Sequence, residues 1–209
     1  MRVNEKLRGQ VVFHDYNDKL ECIFVHIPKT AGTSLQKTLF NFTHTGHLRW
    51  DEYEAYDKKK FSKYYKFAFV RNPWDRVVSA YEYLKSGGRN ESDKAWSEKN
   101  LAKYTSFESF INSWLTEENI LTWNHFVPQS NFIFDTNDNL KVDFLGRFET
   151  LNCDFKILSE KLGGYRSLEN INKSKRKAYK DYYSKTTKDK IAKLYGRDVE
   201  LLGYKFDDK

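Results

Sequence analysis

The stretch PKTAGTS, at residues 28–34, combines the residue types that bind a phosphate or sulfate group. Gly32 allows a tight turn, and successive backbone N–H groups of such a turn point at a common centre. The helix expected to begin here adds the positive end of its dipole. We therefore predict an anion-binding loop rather than an ordinary strand-to-helix turn. Lys29 brings a full positive charge to it, and hydroxyls come from Thr30, Thr33 and Ser34.

A second stretch, FVRNPWDRVVSAY at residues 69–81, has the same order of apolar block, polar turn and helical pattern. Arg71 follows the apolar block, where an unpaired guanidinium would be costly, so its side chain requires an anion. A guanidinium also matches a phosphate group bidentately. Two interpretations remain open for Arg71, a phosphate site and an ion pair with Asp75. The helix face opposite the apolar one carries Arg76, Ser79 and Tyr83.

The sequence before PKTAGTS predicts two strands. Apolar runs at 10–14 and 20–27 indicate two strands around a YNDK turn. The second run is nearly continuous, as expected of a strand covered on both faces. The helix after it has Thr33 or Ser34 as its predicted N-cap.

The second stretch repeats this organisation. KFAFVR, at 66–71, is a short strand, with Asn72 as the N-cap of the next helix and Pro73 at its first position. Two strand–loop–helix units in succession predict an α/β fold with a central, mainly parallel sheet flanked by helices. We expect one domain over residues 1–209.

The rest of the chain predicts a surface loop, a hairpin and further helices. Thr105 and Glu108 have the spacing of a capping box. The turn TNDN predicts that the segments on either side of it pair as a hairpin. The predicted elements are a polar loop at 86–100, a helix after Thr105, a hairpin from 131–135 and 140–147, and helices at 151–162 and around Ile191.

Composition excludes some classes of protein. The chain has 209 residues, of which 39% are hydrophobic, and no apolar run approaches the length of a membrane span. The N-terminus has no apolar secretion signal, so we expect a soluble, cytoplasmic protein. Cys22 and Cys153 lie inside apolar patterns, and we expect two buried thiols. The net charge of +7 fits several anionic partners and decides little alone.

Several motifs together resemble a known family. IFVHIPKTAGTSL is similar to the 5′-phosphosulfate loop of sulfotransferases, and FVRNPWDRVVSAY is similar to their 3′-phosphate motif. From about residue 22 to residue 206 the chain resembles the carbohydrate sulfotransferases of the Golgi type (family 2) and their soluble microbial relatives. The weaker motifs that extend this resemblance are GHLRWDEY (46–53), VDFLGRFETL (142–151) and DVELLGYKF (198–206).

The resemblance implies a P-loop-like fold that uses 3′-phosphoadenosine 5′-phosphosulfate (PAPS) and releases adenosine 3′,5′-bisphosphate. The acceptor would be a hydroxyl, often on a sugar, and neither a metal nor a nucleic acid is implied. The residues that match the 5′-phosphosulfate site are Lys29, Thr30, Ala31, Gly32, Thr33 and Ser34. Those that match the 3′-phosphate site are Arg71 and Ser79, and basic and hydroxyl groups over the nucleotide would be Lys173, Ser174 and Arg176.

Transfer to an alcohol requires a base, and histidine suits this role near neutral pH. His47 matches the position of the catalytic histidine in uronyl 2-O-sulfotransferases. Those enzymes have a second histidine two residues earlier, whereas His44 lies three residues earlier here. His125 and then Glu52 are the alternatives for the base. His44, His125 and Gln129 are also candidates to bind the acceptor.

Two other functions are compatible with parts of the sequence. A small phosphate-transferring kinase would need a lysine after the glycines of its loop, and here Lys29 precedes Gly32. A non-catalytic binder of acidic polymers would explain the charge but not two structured loops. The acceptor would be selected by residues 44–60, 86–100 and 120–132, whose sequence does not identify it.

Overall fold

The computed structural model describes residues 11–41, 46–164, 167–168 and 176–208. The chain divides into two units, each built from two stretches. The first unit is Met1–Val70 with Gln129–Lys173, and the second is Arg71–Pro128 with Ser174–Lys209. The single domain expected over the whole chain stays a prediction.

In the described part of the chain, three parallel strands form the sheet of the first unit. They are β1 (Cys22–Phe24), β2 (Tyr65–Val70) and β3 (Phe144–Arg147), in the order β1-β2-β3. Phe24 is opposite Phe67 in β2, and Phe67 is in turn opposite Phe144. The predicted α/β fold with a parallel sheet is therefore confirmed.

Helices alternate with the strands in the chain order. In chain order the described helices are α1 (Asp15–Leu20), α2 (Gly32–Phe40), α3 (Trp50–Tyr56), α4 (Lys58–Lys63), α5 (Pro73–Lys85), α6 (Glu91–Asn100), α7 (Phe107–Ser113), α8 (Ser130–Ile133), α9 (Leu151–Lys161), α10 (Lys185–Leu194) and α11 (Gly196–Leu202). Short 3₁₀ turns lie at Asn119–Leu121 and Tyr179–Tyr182.

The core of the first unit is aromatic and aliphatic. The rings of Phe24 and Phe67 stack at a centroid distance of 4.9 Å. Leu35 and Leu39, one helical turn apart on α2, and Phe155 on α9 are buried in the same cluster. This packing fixes α2 against the sheet, and so fixes the loop that joins β1 to α2.

The second unit has a core of its own around α5. Asn72 caps this helix, since its side chain accepts a hydrogen bond from the backbone N–H of Trp74 at 3.1 Å. Pro73 occupies the first helical position. Both features were predicted, and the predicted apolar face is buried with residues of α7 and α10.

The predicted hairpin before β1 is wrong. Residues 11–14 are not a strand, and Asp15–Leu20 form α1. The cause is Asn17, whose side chain accepts from the backbone N–H of His14 at 2.7 Å and donates to the carbonyl of Cys22 at 2.8 Å. These bonds satisfy backbone groups inside a helical turn, so no strand pairing is needed.

The predicted hairpin at 131–147 is also mostly wrong. Ser130–Ile133 are helical, and the antiparallel pairing consists of one isolated bridge between Phe134 and Leu140. Asp135 closes the turn by accepting from the backbone N–H of Asn139 at 2.9 Å. The segment Phe144–Arg147 instead pairs in parallel with β2.

Smaller corrections concern helix ends and one cysteine. The polar segment 86–100 contains α6, which begins after Asn90, whose side chain caps it. The cap of α7 is Ser106 rather than Thr105. Cys22 is buried as expected, but Cys153 is exposed, and both thiols are free. As far as the structure describes the chain, its helices are too short or too polar to cross a membrane.

Candidate active site

The loop after β1, residues 25–33, is called the first loop. Its backbone is left-handed at Lys29 and at Ala31, with φ of 73° and 69°. Residues with a side chain avoid this region, at a cost of about 1–2 kcal/mol each. The Thr30 hydroxyl donates to the carbonyl of Ile27 at 2.9 Å, and Thr30 is completely buried. The Thr30 side chain therefore holds the loop in shape, and only its backbone can face a ligand.

The first loop ends at the N-terminus of α2. Ala31 is the N-cap residue, in place of the predicted Thr33 or Ser34, and its methyl group cannot cap the helix. The N–H groups of Ser34 and Leu35 both bond to the Ala31 carbonyl. Within the described part of the chain, the N–H groups of Gly32 and Thr33 meet no acceptor. Such uncapped amides, with the helix dipole behind them, are the elements of an anion site.

Gly32 is required for a different reason from the one predicted. Its φ is not left-handed, so the turn itself does not demand glycine. A Cβ atom at this position would instead lie 1.9 Å from Nε2 of His26. Glycine thus allows the His26 ring to lie directly against the start of α2.

The His26 side chain is held by two neighbours. Its Nδ1 lies 2.9 Å from Nε2 of Gln36, which is completely buried on α2. Its ring stacks on that of Phe24 at a centroid distance of 5.2 Å. We expected His26 to support the core or the loop, but the importance of Gln36 was missed. The available signal was a single amide, Gln36, directly after Leu35 in a helix whose apolar face carries Leu35 and Leu39.

His47 contacts the first loop through His26. Nδ1 of His47 lies 3.1 Å from the backbone carbonyl oxygen of His26, and the two rings are 4.3 Å apart between centroids. A carbonyl can only accept, so Nδ1 of His47 carries the proton and Nε2 carries the lone pair. The predicted base is therefore held beside the predicted anion loop in a tautomer that can accept a proton.

Glu52, an alternative base, has a structural role. Its carboxylate accepts from the backbone N–H of Arg49 at 2.9 Å, at the start of α3. Only 1% of Glu52 is exposed. The carboxylate therefore serves as part of the helix cap, and we give it no catalytic part.

The second loop, residues 71–75, belongs to the second unit. The Arg71 guanidinium bonds to Oδ2 of Asp75, with Nε at 2.8 Å and NH2 at 2.7 Å. The guanidinium of Arg176 bonds to the other oxygen of the same carboxylate. The ion pair considered for Arg71 is thus present. Asp75 also pairs with Arg176, which the resemblance places among the groups over the nucleotide. Two cations thus share the carboxylate of Asp75. Ser79 lies half-buried on α5.

Arg76 differs from the prediction. It was placed on the face of α5 away from the core, but only 1% of its surface is exposed. Burial lowers the pKa of Arg76, while Tyr195 and Asp198 act in the opposite direction. The helical spacing missed this burial because the groups near Arg76, Tyr195 and Asp198, come from more than a hundred residues further along the chain.

His125 belongs to a different polar cluster in the second unit. Its Nδ1 lies 3.8 Å from the Asp93 carboxylate, and its ring stacks on Tyr83. Tyr83 donates to Asp93 at 2.6 Å; burial, followed by this hydrogen bond, raises the pKa of Tyr83 to about 12. Gln129, in the first unit, has no exposed surface.

Three predicted site residues, His44, Lys173 and Ser174, lie outside the described residues. The residues that the structure does describe contain no group of three or more histidine, cysteine or acidic side chains arranged to hold a metal ion.

The fold and the first loop define an α/β protein in which a parallel strand leads into a helix whose N-cap residue, Ala31, makes no side-chain cap. Comparison with known sequences identifies the family. The model of the sulfotransferase family matches residues 14–205, and the chain belongs to that family. It is therefore a transferase of sulfuryl groups.

Two curated relatives match about half of the chain. An uncharacterised protein of Archaeoglobus fulgidus is 32% identical over 108 residues, which are 51% of this chain and 73% of that protein. Sulfotransferase 2B1 of Mus musculus is 33% identical over 103 residues, which are 49% of this chain and 29% of the mouse protein. No solved structure matches the chain.

Proposed function

We propose that the protein transfers the sulfuryl group of PAPS to a hydroxyl of an acceptor, with His47 as the base. One observation carries this proposal. His47 donates Nδ1–H to the carbonyl of His26, in the same loop that leads to the uncapped N-terminus of α2. A base and an anion site at one loop are what in-line transfer to an alcohol requires.

The first loop, the start of α2 and His47 have separate roles in the proposed reaction. The N–H groups of Gly32 and Thr33 bind the 5′-phosphosulfate, with the side chains of Thr33 and Ser34 at the same helix end. Nε2 of His47 takes the acceptor's proton as the acceptor oxygen forms a bond to sulfur. The bond from sulfur to the bridging oxygen breaks, and Lys29 neutralises the charge that develops on that oxygen.

The second loop supplies the other end of the donor in this proposal. Arg71 and Arg176 bind the 3′-phosphate, and Ser79 adds a hydroxyl. The position of the two guanidiniums supports this role, because one carboxylate holds both side chains together. Guanidinium groups held side by side can bind a phosphate through charge-assisted hydrogen bonds. The proposed acceptor is a carbohydrate, on the resemblance to carbohydrate sulfotransferases.

Titration calorimetry with adenosine 3′,5′-bisphosphate tests the donor site. We expect binding in EDTA by the wild type, and weaker binding by Lys29→Ala and by Arg71→Ala. Lys37→Ala, an exposed lysine on α2, is the matched control and should bind as the wild type does. A folded wild type that does not bind the bisphosphate would overturn the proposal. Binding that requires Mg²⁺ would favour a phosphate-transferring enzyme instead.

Transfer itself is tested with PAPS labelled in its sulfuryl group and a panel of glycans and small hydroxylated molecules. We expect label in at least one acceptor, and loss of this transfer in His47→Asn. Transfer that persists in His47→Asn at the wild-type rate would exclude His47 as the base, and the same assay of His125→Asn would then test the alternative.

A further inference from the structure

The pair formed by Gln36 and the His26 ring lies behind His47, and no step described so far uses these two side chains. Gln36 is completely buried, and its Nε2 lies 2.9 Å from Nδ1 of His26. The centroids of the His26 and His47 rings are 4.3 Å apart. The backbone carbonyl of His26 accepts a hydrogen bond from Nδ1 of His47. The three side chains therefore form a connected series that begins in the core and ends at the base.

The chemistry of the amide sets the charge of His26. A carboxamide nitrogen only donates, so Nδ1 of His26 accepts and the ring carries its single proton on Nε2. A doubly protonated ring would direct a second N–H at the amide nitrogen. The position of Nε2 also favours a neutral ring, because it lies against Gly32 at the positive end of α2.

We propose that Gln36 and His26 are positioning residues that fix the tautomer of His47 and keep the neighbouring ring uncharged. This inference rests on the proposed function, because it takes His47 as the base. A neutral His26 places no positive charge beside the proton that His47 must accept. The packed His26 ring also holds its own backbone carbonyl where Nδ1–H of His47 can donate to it.

Charged side chains also lie on the described elements that carry these three residues. The first loop carries Lys29, and α2 carries the exposed Lys37. At the start of α3, Arg49 bonds to Asp51 at 3.0 Å and lies 3.9 Å from Glu52. The two carboxylates that follow His47 in sequence thus both lie near the Arg49 guanidinium.

Two substitutions of Gln36 distinguish the loss of its hydrogen bond to His26 from a change in the charge of His26. Gln36→Leu keeps the size of the side chain and removes the donor to His26. Gln36→Glu replaces the donor by a carboxylate, which favours a doubly protonated His26 and so places a cation beside His47. Lys37→Met is the matched control, because it changes the net charge by the same amount as Gln36→Glu on the exposed side of α2.

The first measurement needs no acceptor. Two-dimensional ¹H–¹⁵N spectra of the histidine rings, assigned with single histidine variants, report which nitrogen carries the proton. We expect His47 as Nδ1–H in the wild type and in Lys37→Met, and a mixture of tautomers in Gln36→Leu. In Gln36→Glu the titration of the His47 signals should move to lower pH. Wild-type His47 with its proton on Nε2 would overturn the inference, and so would unchanged His47 signals in both Gln36 variants.

The second measurement is turnover. We expect Gln36→Leu to lower kcat by about 10- to 100-fold while the KM for PAPS stays unchanged, as for residues that orient a functional histidine. Gln36→Glu should move the acidic limb of the pH–rate profile to lower pH, which a general loss of packing would not do. An enzyme with the expected tautomers but without transfer would contradict the proposed function alone. Transfer with wild-type kcat and pH profile in both variants would overturn the positioning role alone.

Discussion

The first and second loops have similar sequences but differ in how they prepare for an anion. In the first loop the donors are backbone N–H groups, and the chain accepts left-handed φ at Lys29 and Ala31 to present them. In the second loop the donors are side chains, and Asp75 holds the guanidiniums of Arg71 and Arg176. One site is built by backbone geometry, and the other is built by charge.

This difference suggests that the two loops have different functions. Backbone amides cannot rotate away, so they fix the position of a group whose geometry matters during a reaction. Guanidiniums on flexible side chains suit a phosphate that only has to be held. The first loop also contacts the candidate base, because Nδ1 of His47 donates to the His26 carbonyl. We therefore propose that the first loop serves the chemistry and the second loop serves binding.

The largest expected effect is on the chemistry of the first loop. His47→Asn should lower kcat by about 10²- to 10⁴-fold, since this is the usual contribution of a general base. The affinity for adenosine 3′,5′-bisphosphate, measured by calorimetry, should stay at the wild-type value. Arg71→Ala should show the opposite pattern, with weak binding and a much smaller loss of kcat at saturating donor. Equal losses of kcat in both variants would contradict the proposal that the first loop serves the chemistry and the second loop serves binding.

The next largest effect is expected for the ion pairs that Asp75 makes with Arg71 and Arg176. Asp75→Asn leaves Arg71 and Arg176 without their shared carboxylate, and we expect the free energy of unfolding to fall by about 3 kcal/mol. Denaturant unfolding monitored by circular dichroism measures this change. Added adenosine bisphosphate should stabilise the variant more than the wild type. The exposed pair of Asp207 and Lys180 provides the control, since Asp207→Asn should have a much smaller effect.

Gly32 tests the close packing of the first loop. Gly32→Ala places a Cβ atom against the His26 ring, and such overpacking should destabilise the protein by about 1–3 kcal/mol. Gly196→Ala is the control, because a Cβ atom at that position meets no neighbour within 4 Å. Thermal unfolding of the two variants should differ clearly. Similar stabilities would mean that the His26 ring moves easily, and that the loop is less rigid than we infer.

The smallest expected effect concerns the left-handed backbone. Ala31→Gly removes the unfavourable contact of the Ala31 side chain at φ 69°, and we expect a gain in stability of about 1 kcal/mol. Ala192→Gly, inside α10, should instead cost about 1 kcal/mol by the ordinary loss of helix propensity. Opposite signs in denaturant unfolding would confirm that the first loop stores strain. A loss of stability in both variants would contradict it.

Both loops were predictable from the sequence because their signals are local. A continuous apolar run, a short polar turn and a helical apolar face each depend on neighbouring residues, so the strands before Lys29 and Arg71 and the helices after them were identified correctly. The cap at Asn72 and the proline after it are local signals of the same kind. The hairpins failed because the side chains of Asn17 and Asp135 bond to backbone groups, and such competition leaves no hydrophobic pattern.

The sequence by itself determined the type of fold, and it was enough to propose the two anion loops and His47 as a candidate base. Only the tertiary structure decided how those residues are held. Gln36 bonds to His26 across ten residues, His47 donates across twenty-one, and Asp75 joins Arg176 across one hundred and one. Contacts between residues so far apart depend on how the helices pack against the strands and one another, and that packing has no local signature in the chain.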